Sequence, residues 1–225
     1  MAILLHIETA TSNCSVSLSD EEHILATVEL NEGYTHAENL HPFIEQLFKK
    51  TNLNPNQLNA IAVSAGPGSY TGLRIGVTAA KGLCYALNIP LISVNTLQIL
   101  SAQAVKLIIE KDVILCSMLD ARRMEVYTAA YNQELLEIKK TEAKIVAENS
   151  VNEFRMDRTT YYFGDGMPKC KALLQTISGA KFLDNIIPSS TNMLNLALTK
   201  YKAKQFEDIA YFEPMYLKEY FFKTK

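Results

Sequence analysis

Apolar and polar residues fall into blocks along the chain, and most blocks have the length and period of a single structural element. Residues 3–7 are apolar apart from His6, which predicts a buried strand. Residues 15–18 and 24–30 predict two more, parted by polar Asp20-Glu21-Glu22. At Thr35 the period changes. Leu40, Phe43, Ile44, Leu47 and Phe48 recur at helical spacing, Thr35 with Glu38 predicts a capping box, and Lys49-Lys50 suits a helix C-terminus. A strand over 60–63 runs into Gly66-Pro67-Gly68. A helix then starts with Ser69 or Thr71 as N-cap and continues to about Leu87, where Asn88 and Pro90 stop it. A strand over 89–94 and a helix over 98–110 follow.

Beyond residue 110 the pattern is weaker. Strands are predicted over 113–118, 126–131 and 161–163, and helices over 169–177 and 192–204, with no internal repeat in the sequence. The polar break Glu110-Lys111-Asp112 sets the expected division into 1–110 and 111–225. A chain of 225 residues has room for one large domain or two lobes. With 48% hydrophobic and 20% charged residues it reads as a soluble globule, and a net charge of −2 gives no global attraction to nucleic acid. The N-terminal apolar run is too short for a signal peptide and no stretch approaches a membrane span, so a cytoplasmic location is expected. Cys14, Cys84, Cys116 and Cys170 are widely spaced, which argues against zinc and disulfide frameworks alike. His36 and His41 are five apart, not the four that metal ligation from one helix face prefers.

Residues 64–82, Ser-Ala-Gly-Pro-Gly-Ser-Tyr-Thr-Gly-Leu-Arg-Ile-Gly-Val-Thr-Ala-Ala-Lys-Gly, carry the most information. Glycine there implies a sharp turn or a close approach that a Cβ would block. A helix N-terminus can hold an anion, but no lysine completes a P-loop, and Gly66, Gly68 and Gly72 miss the dinucleotide spacing. Plain turn chemistry is the simpler reading.

This string closely resembles the Gly-Pro-Gly-Ser-Phe/Tyr-Thr-Gly-Leu/Val-Arg signature of the TsaB (YeaZ) family and its paralogue TsaD, partners in making threonylcarbamoyladenosine in tRNA. Ile7-Glu8-Thr9-Ala10-Thr11, Val94-Asn95-Thr96-Leu97, Asp120-Ala121-Arg122 with Glu125-Val126-Tyr127, and Glu213-Pro214-x-Tyr216-Leu217 resemble further family elements, in order over the full length. The resemblance implies an α/β, actin/Hsp70/hexokinase-like (ASKHA, RNase H-like) fold of two lobes, with mixed sheets flanked by helices. TsaD carries Asn-His-Leu-Glu-x-His, whose histidines hold its metal. Thr96 and Leu100 stand at those positions here, so the resemblance implies a metal-free, non-catalytic partner that activates TsaD together with TsaE.

The family further implies a four-helix contact with TsaD, for which His36, Leu40, Phe43, Ile44, Leu47, Gly72, Arg74, Gly76 and Ala80 are the candidates. A homodimer on the same face is expected when the partner is absent, with tRNA reached only through the complex. Glu8, Thr9, Thr11, Gly66 and Gly68 form a candidate vestigial nucleotide site. No cofactor is expected within the chain itself, a nucleotide having its place at the complex interface. A stand-alone ATPase or sugar-kinase-like enzyme of the same superfold is the alternative. Asp120, Arg122, Arg123 and Glu125 make a charged cluster expected to pair internally or face water. Lys218, Lys223 and Lys225 with Tyr220, Phe221 and Phe222 make a basic–aromatic tail.

Overall fold

A computed structural model describes residues 2–33 and 35–218. The chain divides into two units, residues 1–99 with 188–214 and residues 100–187 with 215–225. The division therefore differs from the single cut expected near residue 110, since residues 188–214 return to the first unit.

The first unit is built on strands β1 (Leu4–Glu8), β2 (Cys14–Ser19), β3 (Ile24–Leu30), β4 (Ala60–Gly66) and β5 (Leu91–Asn95), in the order β3-β2-β1-β4-β5. β1, β2 and β3 form an antiparallel meander, and β4 and β5 are parallel additions to β1. Alternation along the strands sends Leu5, Ile7, Val16, Leu18, Ile61 and Val63 to one face. Helices α1 (His36–Thr51) and α2 (Tyr70–Leu87) cover that face with Leu40, Ile44, Leu47, Val77, Ala80 and Cys84. On the opposite face Leu4, Ala60, Ala62, Ile92 and Val94 meet Met193 and Ala197. Met193 ends a short 3-10 turn and Ala197 lies in helix α5 (Leu194–Lys202). That packing is what draws residues 188–214 into this unit. Burial on both faces also explains why β1 and β4 read as near-continuous apolar runs.

Helix α3 (Thr96–Ala104) follows β5 directly, and Asn95 Oδ1 accepts from the Leu97 amide at 2.8 Å. Thr35 precedes α1 but forms no capping box. Its hydroxyl accepts from the Asn39 side-chain amide at 2.8 Å instead.

The second unit has strands β6 (Ile114–Asp120), β7 (Glu125–Tyr131), β8 (Glu137–Ile145), β9 (Thr160–Phe163) and β10 (Ala180–Leu183), in the order β10-β9-β6-β7-β8. β6, β7 and β8 are antiparallel, and β9 and β10 run parallel to β6. Read from its first strand, this is the topology of the first unit repeated. Its core joins Cys116, Met118, Val126 and Tyr162 to Met167, Cys170 and Leu174 of helix α4 (Met167–Leu174). The four cysteines are buried and unpaired, and burial pushes the Cys84 thiol up to about 12. Among the described residues no helix is long and apolar enough to cross a membrane.

Candidate functional site

Glycines at 68, 72 and 76 are there because the chain's own β1–β2 turn lies against them. A Cβ on Gly68 would stand 2.4 Å from the Ala10 carbonyl oxygen, and one on Gly72 would stand 2.1 Å from the Thr9 carbonyl oxygen. On Gly76 it would meet the Thr9 hydroxyl at 2.2 Å. Hydrogen bonds stitch the same seam. The Ser69 amide donates to Ala10 O (2.7 Å), the Thr9 hydroxyl donates to Gly72 O (2.8 Å), and Ser69 Oγ caps the Gly72 amide (3.3 Å). His36 at the start of α1 completes it, its Nε2 donating to Thr11 O at 2.7 Å.

Most of the partner-contact candidates are therefore internal. His36, Leu40, Ile44, Leu47, Gly72, Gly76 and Ala80 are all buried within the first unit, and Phe43 is partly buried against its core. The small-residue stripe of α2 points at Thr9, not at solvent, because β1 ends beneath it. Arg74 is exposed, with its guanidinium 4.1 Å over the Tyr70 ring. The solvent-facing stripe of α2 is Thr71, Arg74, Thr78, Gly82 and Tyr85, and Tyr85 is 82% exposed. On α1 the exposed residues include Ala37, His41 and Glu45. Toward the C-terminal ends of both helices lies an apolar groove of about 490 Å³, lined by Ile44, Phe48, Leu53, Leu58, Leu83 and Leu87.

The candidate nucleotide residues also come together at this seam, with their polar atoms largely occupied. Glu8 is fully buried, its Oε1 accepts from the Ala10 amide at 2.6 Å, and burial raises its carboxyl to about 7. Thr11 is buried at the carbonyl that His36 holds. Gly66 adopts φ +102°, a left-handed conformation that glycine tolerates, in the bend that lets Gly68 reach Ala10.

On the sheet face that carries Leu4, pattern reading missed a polar strip. His6 and Glu8 follow Leu4 in alternation, and Ser17 and Ser15 lie opposite them on β2. His6 Nδ1, Glu8 Oε2, Asn13 Oδ1 and Ser17 Oγ are buried and make no hydrogen bond among the described residues. Burial lowers the His6 imidazole to about 3, so it is neutral, and its Nε2 pairs with Ser19 Oγ at 2.8 Å. Sequence shows these residues one by one, but only the β1–β2 register brings them together on one buried face.

Thr96 and Leu100, the two residues at which the family resemblance implied that metal-holding histidines are missing, are both buried. Among the described residues no three His, Cys, Asp or Glu side chains cluster as a metal would need.

The charged cluster of the second unit sits on the β6–β7 hairpin. Asp120 accepts from the Arg122 amide and pairs with Lys169, and Glu125 pairs with Lys218. The Asp120 amide donates to Asp165, whose carboxyl is raised by burial. The cluster was expected to pair internally or face water: the acids pair with lysines from elsewhere in the chain, and both arginines are exposed. Tail residues 219–225 lie outside the described residues.

Two sheets that each repeat this meander-plus-parallel order define the actin-like class, and solved structures agree. The activator of the 2-hydroxyisocaproyl-CoA dehydratase from Clostridium difficile, with bound ADPNP, matches over 92% of this chain and 98% of its own at a TM-score of 0.51 and 11% identity, a likeness of fold alone. YeaZ from Pseudomonas aeruginosa matches far better: TM-score 0.83, 25% identity, 96% of this chain and 100% of that one. A family model described as "TsaD: tRNA N6-adenosine threonylcarbamoyltransferase" matches residues 23–220. The Escherichia coli "tRNA threonylcarbamoyladenosine biosynthesis protein TsaB" is 30% identical over 223 residues, covering 96% of this chain and 94% of its own length. The chain belongs to the TsaB (YeaZ) family.

Proposed function

We propose that this chain is a non-catalytic subunit for threonylcarbamoyl transfer to the tRNA adenosine 3′ of the anticodon, and that it binds and activates TsaD together with TsaE. Near full-length similarity to a relative named for threonylcarbamoyladenosine biosynthesis carries this reading. Thr96 and Leu100 support the non-catalytic part, since a hydroxyl and an isobutyl group cannot replace two imidazole donors. The subunit acts in the cytoplasm by lending surface that favours the partner's active conformation. It holds no cofactor of its own, a nucleotide binds where the complex meets, and tRNA is reached through the assembly.

The contact is assigned to the outward face of α1 and α2, with Ala37, His41 and Glu45 on one helix and Thr71, Arg74, Thr78, Gly82 and Tyr85 on the other. A free copy uses this face for a homodimer. Tyr85 is its natural anchor, being a large aromatic that the chain itself leaves almost uncovered. Tyr85→Ala is expected to weaken co-elution with TsaD by about 2 kcal/mol, roughly 30-fold in Kd. Its circular dichroism and melting midpoint should match the parent. Unchanged affinity in Tyr85→Ala together with Thr78→Arg would place the contact elsewhere.

A further inference from the structure

The β6–β7 turn is built in an unusual way. Arg122 and Arg123 follow one another at φ +71° and +48°, a region that residues with a Cβ adopt reluctantly and that suits glycine or asparagine in a hairpin. The turn is nevertheless fixed. The Ala121 amide donates to Glu125 O, the Glu125 amide to Arg122 O, the Arg122 amide to Asp120 Oδ1, and the Val146 amide of the neighbouring chain segment to Met124 O. Both arginine side chains are exposed.

Three carboxylates at the turn are already engaged: Asp120 with Lys169, Glu125 with Lys218, and Asp165 with the Asp120 amide. Among the described residues neither guanidinium makes an ion pair or a hydrogen bond. Two permanent positive charges thus stand side by side on a hydrogen-bonded turn, with Asp120 and Glu125 paired to lysines instead. Lys218 itself is anchored beside the turn through Glu125.

We propose that the Arg122-Arg123 turn is an RNA phosphate-binding site, with which the second unit holds the tRNA backbone inside the assembly. This rests on the reading that the chain serves tRNA modification. Guanidinium forks match phosphate oxygens in pairs, and the planar fork loses less freedom per hydrogen bond formed than an ammonium does. A net charge of −2 for the whole chain is compatible with this, because the contact is local and adds to binding by the partner subunit.

The test uses the chain assembled with TsaD and a labelled, unmodified tRNA transcript, titrated between 50 and 200 mM salt (about that range of ionic strength spans the useful response). Arg122→Gly with Arg123→Gly is expected to weaken tRNA binding about 10-fold and to reduce the slope of log affinity against log salt by roughly 1.5. The melting midpoint should stay level or rise, since glycine accepts the left-handed conformation. Lysine at both positions should keep most of the slope. Unchanged affinity and slope in the glycine pair would overturn the site. So would loss of TsaD assembly with tRNA contact intact, which would make these arginines a protein contact. Omitting the whole chain from the modification reaction separates the two readings: if modification continues without it, the function falls whatever the arginines do.

Discussion

Gly72→Ala is expected to destabilise the first unit severely, by about 2–4 kcal/mol. The new methyl group would lie 2.1 Å from the Thr9 carbonyl oxygen, a backbone atom fixed at the end of β1. Overpacking against an unyielding neighbour costs about 1–3 kcal/mol. Moving Thr9 also breaks the bond from its hydroxyl to Gly72 O, worth about 1 kcal/mol. At roughly 2–4 °C per kcal/mol for a chain of this size, the melting midpoint should fall by about 5–15 °C. Gly76→Ala should cost less, because the atom it meets is the rotatable Thr9 hydroxyl. Gly82→Ala is the control with the opposite sign. Nothing lies within 4 Å of its Cβ position, so alanine should stabilise the helix by roughly 0.5–1 kcal/mol. Were the α2 glycines an open seam for a partner helix, Gly72→Ala would leave the melt alone and weaken assembly instead. A thermal melt of the three variants decides between them.

Glu8→Gln should stabilise the protein in a pH-dependent way. The folded carboxyl titrates at about 7 against an ordinary 4.5, because burial disfavours its charge more than the Ala10, Ser64 and Thr9 contacts favour it. The folded chain therefore holds this proton more tightly than the unfolded chain, and stability falls as pH rises from 4.5 to 7. Over that window the loss amounts to about 3 kcal/mol at most. His6 has the opposite slope. Its folded value of about 3 against 6.5 means the unfolded chain takes the proton first, so stability falls as pH drops below 6.5. Between pH 4.5 and 6.5 the two slopes oppose each other. Above pH 7 only the Glu8 penalty remains, and glutamine, which cannot ionise, removes it. Urea melts should show the variant well ahead of the parent at pH 8, with the gap shrinking to under about 1 kcal/mol at pH 5. An equal difference at both pH values would mean that Glu8 is charged in the folded chain.

What the sequence revealed follows from how far apart the interacting residues are. The meander, α1, β4, α2 and β5 were legible because their apolar runs are long and bounded by glycine, proline and asparagine. β8 was not, since Glu137-Ile-Lys-Lys-Thr-Glu-Ala-Lys-Ile145 is a polar edge strand whose partner β7 decides its conformation. The topological repeat was invisible for a related reason: the second sheet reuses the strand order with different side chains. At the site, glycine spacing announced a close approach at 68, 72 and 76, but not that Thr9 and Ala10 were what approached. The pairing of Asp120 with Lys169, and the return of residues 188–214 to the first sheet, likewise depend on contacts between distant segments.

Reconstitution of the modification reaction tests the central claim most directly. Threonylcarbamoyl incorporation into an unmodified tRNA transcript would be followed with TsaD, TsaE and the enzyme that forms the threonylcarbamoyl adenylate, with and without this chain. The account predicts incorporation only when the chain is present, and none from the chain without TsaD. Equal incorporation in its absence, or transfer by the chain alone, would contradict it.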